Sequence, residues 1–525
     1  MTGIDYAIIL AYLVLTLAIG LRAAGKMESG ADFFLAGKRL PWWAIGLSLV
    51  VTDIGAKDIV GLAQDSYRHG LVMANWDWTG CIPAMVLAGL VFVPYFWAGG
   101  FYTVPEYFGR RYNEGVRTVT TIVWGLFIAG NIAVIFSACT AVIAPMMGLE
   151  EYRTEILVIT TVVIGIYTCL GGLAAVVYTD VIQCLLMIAG MALVLYHAFH
   201  APGVGSWQSL RETVTATHPD HFKLFHPVEN PSSFTTFSVV FGLGVVLGPA
   251  YWIGNQAIVQ RTLGAKSMNQ ARGGVFFGAI VKLIFPILLV LPGILAIVIL
   301  PEELKGEETK EVFPRLVKDL LPPGSRGLVF AALLAGLMGN LTGYLNSAST
   351  LWTRDILRKY VFRPYGTAPE DESSARLDLL IGRVLTILFL ATGAVLSIWV
   401  QNIFETMQWM LSLFQGPTLA LLVLGMFWRR ATAWGGFAGI VIGLCCSQFL
   451  NSWKQSLFGY WTNGGTVWVG YENPYLHVAW WSFVAACVVM VVVSVFTRPY
   501  SAERLRGLVY GSPLGQTDPH SAQSR

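Results

Sequence analysis

Five ionisable side chains, Asp53, Lys57, Asp58, Asp77 and Lys282, interrupt stretches that are otherwise apolar and long enough to cross a membrane. A charge at bilayer depth costs between about 3 and 15 kcal/mol, depending on how far it snorkels towards water. Five such charges do not face lipid. They either lock helices together as buried ion pairs or line a wet cavity through a helix bundle, which is a path for solute. Carboxylates accept hydroxyl groups and ammonium groups donate to them, so the same set can hold a polar molecule midway across the bilayer. Three of the five fall in Val51-Thr52-Asp53-Ile54-Gly55-Ala56-Lys57-Asp58, where charges and a glycine interrupt an apolar helix. A second interruption is expected at Gly248-Pro249, because proline removes an amide donor from the helical ladder. Unwound backbone at membrane depth is tolerated where it lines a cavity, and its freed carbonyls can hold a cation. Two such breaks, five segments apart, are the pattern of an inverted-repeat transporter with its site near the midplane; each break alone is also the pattern of a simple kink.

The elements that must position these residues are membrane helices. The chain has 525 residues, of which 55% are hydrophobic and 12% charged, with a mean hydropathy of +0.61. This composition describes a polytopic membrane protein and excludes a soluble domain on a single anchor. The net charge of +3 gives no reason to expect nucleic acid as a partner. Apolar runs predict thirteen helices, near 4–22, 41–66, 71–97, 117–147, 154–173, 177–199, 235–258, 272–300, 327–353, 377–400, 403–427, 433–452 and 475–496. Basic residues gather in alternate connections, including Lys38 and Arg39, Arg110 and Arg111, Arg261 and Lys266, Arg358 and Lys359, and Arg429 and Arg430. The positive-inside rule with an odd helix count puts the N-terminus outside and the C-terminus in the cytoplasm of a plasma-membrane protein. The long connections 200–234, 301–326 and 453–474 are then external, the first two with room for short surface helices. All seven cysteines lie in apolar spans and read as small packing residues. The first hydrophobic segment lacks a basic leader and is expected to be retained as a helix. No phosphate loop, zinc-ligand spacing or dinucleotide fingerprint occurs in the connections, so nothing favours an enzyme.

Particular motifs then narrow the reading. Asp32-Phe33-Phe34-Leu35-Ala36-Gly37-Lys38-Arg39-Leu40-Pro41-Trp42-Trp43, Tyr102-Thr103-Val104-Pro105-Glu106-Tyr107, Tyr251-Trp252-Ile253-Gly254-Asn255-Gln256 with Gln260-Arg261-Thr262, and Asn346-Ser347-Ala348-Ser349-Thr350 with Asp355 resemble the solute:sodium symporter family, and within it the sodium/glucose cotransporter branch. The resemblance runs over roughly residues 5 to 450. It implies an all-α, LeuT-like five-plus-five inverted repeat. The first repeat would be 41–200 and the second 235–430, including the loop 301–326. Residues 1–40 would form an extra helix and cytoplasmic loop, 201–234 an external loop, 431–496 two additional helices, and 497–525 a cytoplasmic tail.

The resemblance also implies a substrate site. Lys282, Gln408, Tyr251 and Trp252 fall on residues shared with the sugar branch, the two aromatics as its inner gate. Asp77 replaces a glutamate that accepts sugar hydroxyls, and Asp58 replaces a glutamine or histidine. The chemistry is coherent for a monosaccharide or related polyol, whose hydroxyls both donate and accept and whose C–H face stacks on aromatic rings. For sodium, the resemblance implies carbonyls of Val51, Ile54 and Gly336, with Asp180 as part of a second cation site. The family's pair of adjacent hydroxyl residues is replaced here by Gly339-Asn340, so the Asn340 amide oxygen and the Asp53 carboxylate are expected to compensate. Gly336, Gly339 and Gly343 are also spaced as a close helix-packing stripe. Sodium-coupled sugar or polyol symport is the leading reading; proton-coupled or uncoupled sugar transport, and a membrane-embedded sugar sensor, are the alternatives.

Overall fold

The computed structural model describes residues 1–24, 30–147, 150–300, 304–362, 372–400, 403–462, 465 and 467–513. These fold almost wholly into helices, joined by short connections and one small antiparallel hairpin, Gly459–Thr462 with Val467–Gly470. Among the described residues ten helices are long and apolar enough to cross a membrane, or up to eleven if one bent pair counts as a single span. The expected segments 154–173 and 177–199 are the two parts of Arg153–Phe199, where the chain turns at Gly172 in left-handed backbone at φ +52°. The connection 200–234 contains the helix Trp207–Thr217, and 301–326 contains Val312–Leu320.

The centre of the bundle is the helix Ser325–Leu351, buried along nearly its whole length. It packs against Arg153–Phe199, Glu114–Met147 and Gly3–Ala24. Glycines at 336, 339 and 343 bring neighbouring backbone close. A side chain at Gly336 would press on the Gly55–Ala56 backbone at 3.3 Å. Two of its polar residues bond across to a neighbouring helix: Ser347 donates to Gln260 Oε1 at 3.0 Å, and Gln260 Nε2 donates to Thr350 Oγ1 at 2.8 Å. Its first turn is capped from the N-terminal helix, where Asp5 Oδ1 accepts from Gly324 and Gly327 amides at 2.8 Å each, as an acidic group at a helix start should.

The span expected at 41–66 is two helices, Trp42–Asp53 and Ala56–His69, separated at Ile54 and Gly55, whose backbone is extended. The second break is not where Gly248-Pro249 suggested. The helix runs through both residues, and the chain breaks at Asn255, with a bend of 51° between Ser238–Gly254 and Gln256–Leu263. The reason is local. Ser238–Leu247 is wound as a wide π-helix, and Pro249 sits in the first turn of the α-helical segment that follows it, where the missing donor costs little. Gly248 serves close packing, since a Cβ there would collide with the Gly80 carbonyl. Asn255 makes the break by capping: its side-chain oxygen accepts from the Ala257 amide at 3.0 Å and starts the next helix.

Candidate functional site

Gly55 ends one helix and starts another with the same turn of chain. Its amide donates to Asp58 Oδ2 at 2.8 Å, a cap for Ala56–His69. Turning to Asp58, that amide leaves the Val51 carbonyl without its helical donor, and the Asp58 amide bonds Gly55 O at 3.0 Å rather than Ile54 O. Carbonyls at the break therefore point away from the helical ladder. The Asn340 amide nitrogen, from the central helix, donates to Thr52 O at 2.9 Å and to Asp53 O at 3.4 Å. Its own oxygen, buried, has no partner.

Around this break lies a cavity of about 140 Å3, walled by both broken spans. Lys282 reaches it from the end of Met268–Lys282, just before the helix is disturbed ahead of Pro286. Its ammonium lies between two carboxylates, ion-paired to Asp53 and to Asp77 Oδ1 at 2.6 Å. Asp77 stands in the wide-turned segment Trp76–Cys81, whose winding carries the carboxylate inward. The face of Trp252 lies 5.6 Å from the same ammonium, close enough for a cation–π contact. Lys57 pairs with Asp58 Oδ1 at 3.0 Å and contacts Met407 Sδ at 3.4 Å. The Tyr251 and Tyr344 hydroxyls meet at 3.2 Å. Gln408 is buried, and its side-chain oxygen has no hydrogen bond.

All six expected substrate residues, Asp58, Asp77, Tyr251, Trp252, Lys282 and Gln408, line this one cavity or its charge triad. The expected cation residues divide. Val51, Ile54, Gly336 and Asn340 gather at the break, but the Asp53 carboxylate turns away from Asn340 to Lys282. Asp180 lies apart from the cavity wall. One of its oxygens takes Ser48 Oγ at 2.5 Å and Arg261 at 3.2 Å, while Oδ1 has no partner. Gly339 separates the two places: a side chain there would meet Gln183 Oε1 at 2.6 Å and Asp180 Oδ1 at 3.1 Å. Tyr344 and Asp65 are among the cavity residues that the motifs do not point to. Tyr344 follows the glycine stripe on a helix judged by its small residues, and Asp65 lies seven residues after Asp58 on the same helix face, a spacing that would have revealed it.

The sodium:solute symporter family model matches residues 33–443, a stretch that contains both broken helices and every residue of the triad. The chain belongs to this family. It is 31% identical over 480 residues to the sodium/glucose cotransporter of Vibrio parahaemolyticus, covering 86% of each chain. It is also 31% identical over 478 residues to sodium/myo-inositol cotransporter 2 of Oryctolagus cuniculus, covering 84% of this chain and 68% of that one. Among solved structures, a Na+-coupled sialic acid symporter in a substrate-bound outward-open state matches with a TM-score of 0.79 at 20% identity, covering 95% of this chain and 99% of its own. That likeness shows the fold. With ten or eleven apolar spans among the described residues, this member of the symporter family is a multi-pass membrane protein.

Proposed function

We propose that this protein is a secondary transporter of the plasma membrane that couples sodium to the movement of a monosaccharide or related polyol by alternating access. The observation that carries the reading is the convergence of the Asp53–Lys282–Asp77 triad, Gln408 and the Tyr251–Trp252 aromatics on one cavity between two broken helices. Such a cavity offers acceptors, donors and ring faces together, which is what a polyol needs. The sodium/glucose and sodium/myo-inositol cotransporters among its relatives carry names of this chemistry. Tyr251 and Trp252 serve as a gate over the solute. The freed Val51 and Ile54 carbonyls, Gly336 O and the unpaired Asn340 oxygen are the sodium ligands in this reading, with Asp180 at a second site. The triad holds two carboxylates for one ammonium, so a cation near the break stabilises the excess charge; that is how ion and solute occupancy become linked.

The five-plus-five repeat, with core helices at 41–200 and 235–430, thirteen spans, an external N-terminus and a cytoplasmic C-terminus, belongs to the same proposal. Breaks in the first helix of each half, at Ile54–Gly55 and at Asn255, support it. One observation favours proton coupling as a second reading: the Asn340 amide nitrogen already bonds two carbonyls at the break. Uptake into proteoliposomes decides between them. Imposing sodium, potassium and pH gradients in turn, with labelled glucose and myo-inositol, should give accumulation with sodium alone. Accumulation that follows only the pH gradient would transfer the coupling to protons, and none under any gradient would leave a facilitator or sensor.

A further inference from the structure

We propose that the solute bears a positively charged amino group on its polyol frame, and that Asp65 receives it. This rests on the sugar-transport reading above and narrows its substrate class. Four carboxylates line the cavity, Asp53, Asp58, Asp65 and Asp77, against the Lys57 and Lys282 ammonium groups of the same site. Asp53 and Asp77 share Lys282, and Asp58 holds Lys57 and the Gly55 amide. Asp65 differs from all three. It is 6% exposed and forms part of the cavity wall, yet it has no hydrogen bond or ion pair among the described residues. Arg68, one turn on, is exposed, and its guanidinium donates to Gly306 O at 3.3 Å.

The groups near Asp65 include atoms able to accept hydrogen bonds. The Gln408 side-chain oxygen is buried without a partner. The Tyr475 hydroxyl stands beside Gln408 and within the electrostatic reach of Asp65. Trp76, in the cavity wall, stacks on Tyr475 with ring centroids 6.2 Å apart and planes 8° from parallel. A primary ammonium brings three N–H donors and a charge, which this set of acceptors and a nearby aromatic face accommodate. A neutral hydroxyl would satisfy a hydrogen bond there and leave the buried carboxylate's charge uncompensated. The step from Asp58 to Asp65 is two turns along one helix face, roughly 10 Å. The lysine-bearing and amino-binding ends of the cavity are therefore separate positions along one helix.

The test compares binding of D-glucosamine, N-acetyl-D-glucosamine and D-glucose to the purified full-length protein in sodium buffer near neutral pH, in the wild type and in Asp65→Asn. The acetylated sugar keeps the amino sugar's frame without its charge. Wild type should bind glucosamine about tenfold or more tightly than the acetylated sugar, the size of a buried charge-assisted contact. Asp65→Asn should close that gap to about threefold or less. Equal wild-type affinities for all three sugars overturn the amino-group assignment and leave sugar transport standing; this comparison decides even if the variant does not fold. A variant that weakens all three alike also overturns it. Saturable binding of none of them removes the sugar reading itself and the proposal with it. Glucose uptake that acidifies the vesicle lumen in wild type but not in Asp65→Asn assigns Asp65 to a proton and overturns it too.

Discussion

Replacing Lys282 by methionine keeps the length and apolar stem of the side chain and deletes only its ammonium. That ammonium is fully buried and is the shared partner of Asp53 and Asp77. Each charge-assisted hydrogen bond is worth about 1.5–3 kcal/mol, and breaking a buried pair by removing one partner costs about 3–5 kcal/mol, since a charge is left behind. Here two carboxylates are left side by side, so Lys282→Met should destabilise the protein by roughly 4 kcal/mol. Thermal unfolding of the detergent-purified protein measures this as a fall of several degrees. The reasoning also fixes a rescue. Asp77→Asn in the same chain removes the like charge and should recover about half of the loss, although Asp77→Asn alone is destabilising. Sugar binding separates structure from recognition: the stabilised double variant should still bind glucose or inositol about tenfold or more weakly, because two solute-facing groups are gone. An unfolding temperature unchanged by Lys282→Met, or a double variant no more stable than the single one, would refute the triad as a coupled charge unit. A double variant with wild-type sugar affinity would remove Lys282 and Asp77 from the solute site.

Three other outcomes follow from the same geometry. Asp53→Asn should lower sodium affinity about tenfold or more, read from the sodium dependence of uptake, because it removes one of the two carboxylates that leave the triad in excess; unchanged sodium activation would place the coupling charge elsewhere. Asn340→Ser should fold and retain sodium activation, whereas Gly339→Ser should unfold at a lower temperature, because its Cβ would overlap Val51 and press on Gln183; equal stability of the two variants would contradict the packing described for the central helix. His221, in the connection 201–234, bonds the Tyr67 carbonyl at 3.0 Å, and burial pushes its pKa down from 6.5 to about 4, against the pull of that carbonyl. The unfolded segment therefore takes up a proton first, so the anchoring of this connection is complete above pH 6.5 and weakens as pH falls towards 4. Protection of residues 218–226 against hydrogen exchange, taken relative to the intrinsic rate at each pH, should fall over that window, and protection that rises on acidification would reverse the assignment.

The parts of the site legible in the sequence are those with a large energetic signature. Asp53, Lys57, Asp58, Asp77 and Lys282 stood out because charges in apolar spans are costly anywhere but in a cavity, and four of the five line the cavity while Lys282 pairs into it. The first break was legible for the same reason. Proline marks the wrong place for the second, because a π-helical stretch before Pro249 absorbs the lost donor and Asn255 breaks the chain by capping. An asparagine cap inside a membrane helix is not distinguished by type from any other polar residue. Asn340 poses the same difficulty in a different form. Its amide has a donor end and an acceptor end, and spacing does not tell which faces the carbonyls; in the structure the donor does. Asp65 escaped because it lies near the end of its span, where a carboxylate ordinarily meets water.

That last residue changes how the whole cavity should be read. Had its charges balanced, the triad and the Lys57–Asp58 pair would act as locks, and solute recognition would fall to Gln408 and the aromatics. They do not balance. Lys282 is shared by two carboxylates, and among the described residues Asp65 forms no ion pair, Arg68 acting on it only at a distance. An uncompensated buried carboxylate is costly, and a transporter can turn that cost to use, because whatever positive charge enters is bound in proportion to the charge it relieves. One excess carboxylate lies in the triad beside the helix break, where a coupling cation stabilises it; the other lies two turns away along the same helix as Asp58, where an amino group on the solute does. A carboxylate left unpaired when the cavity closes is costly, so closure favours the form in which both positions are neutralised. Coupling in this chain then follows from charge neutralisation at both ends of the cavity, and losing either carboxylate should loosen ion and solute from one another before it abolishes the binding of either.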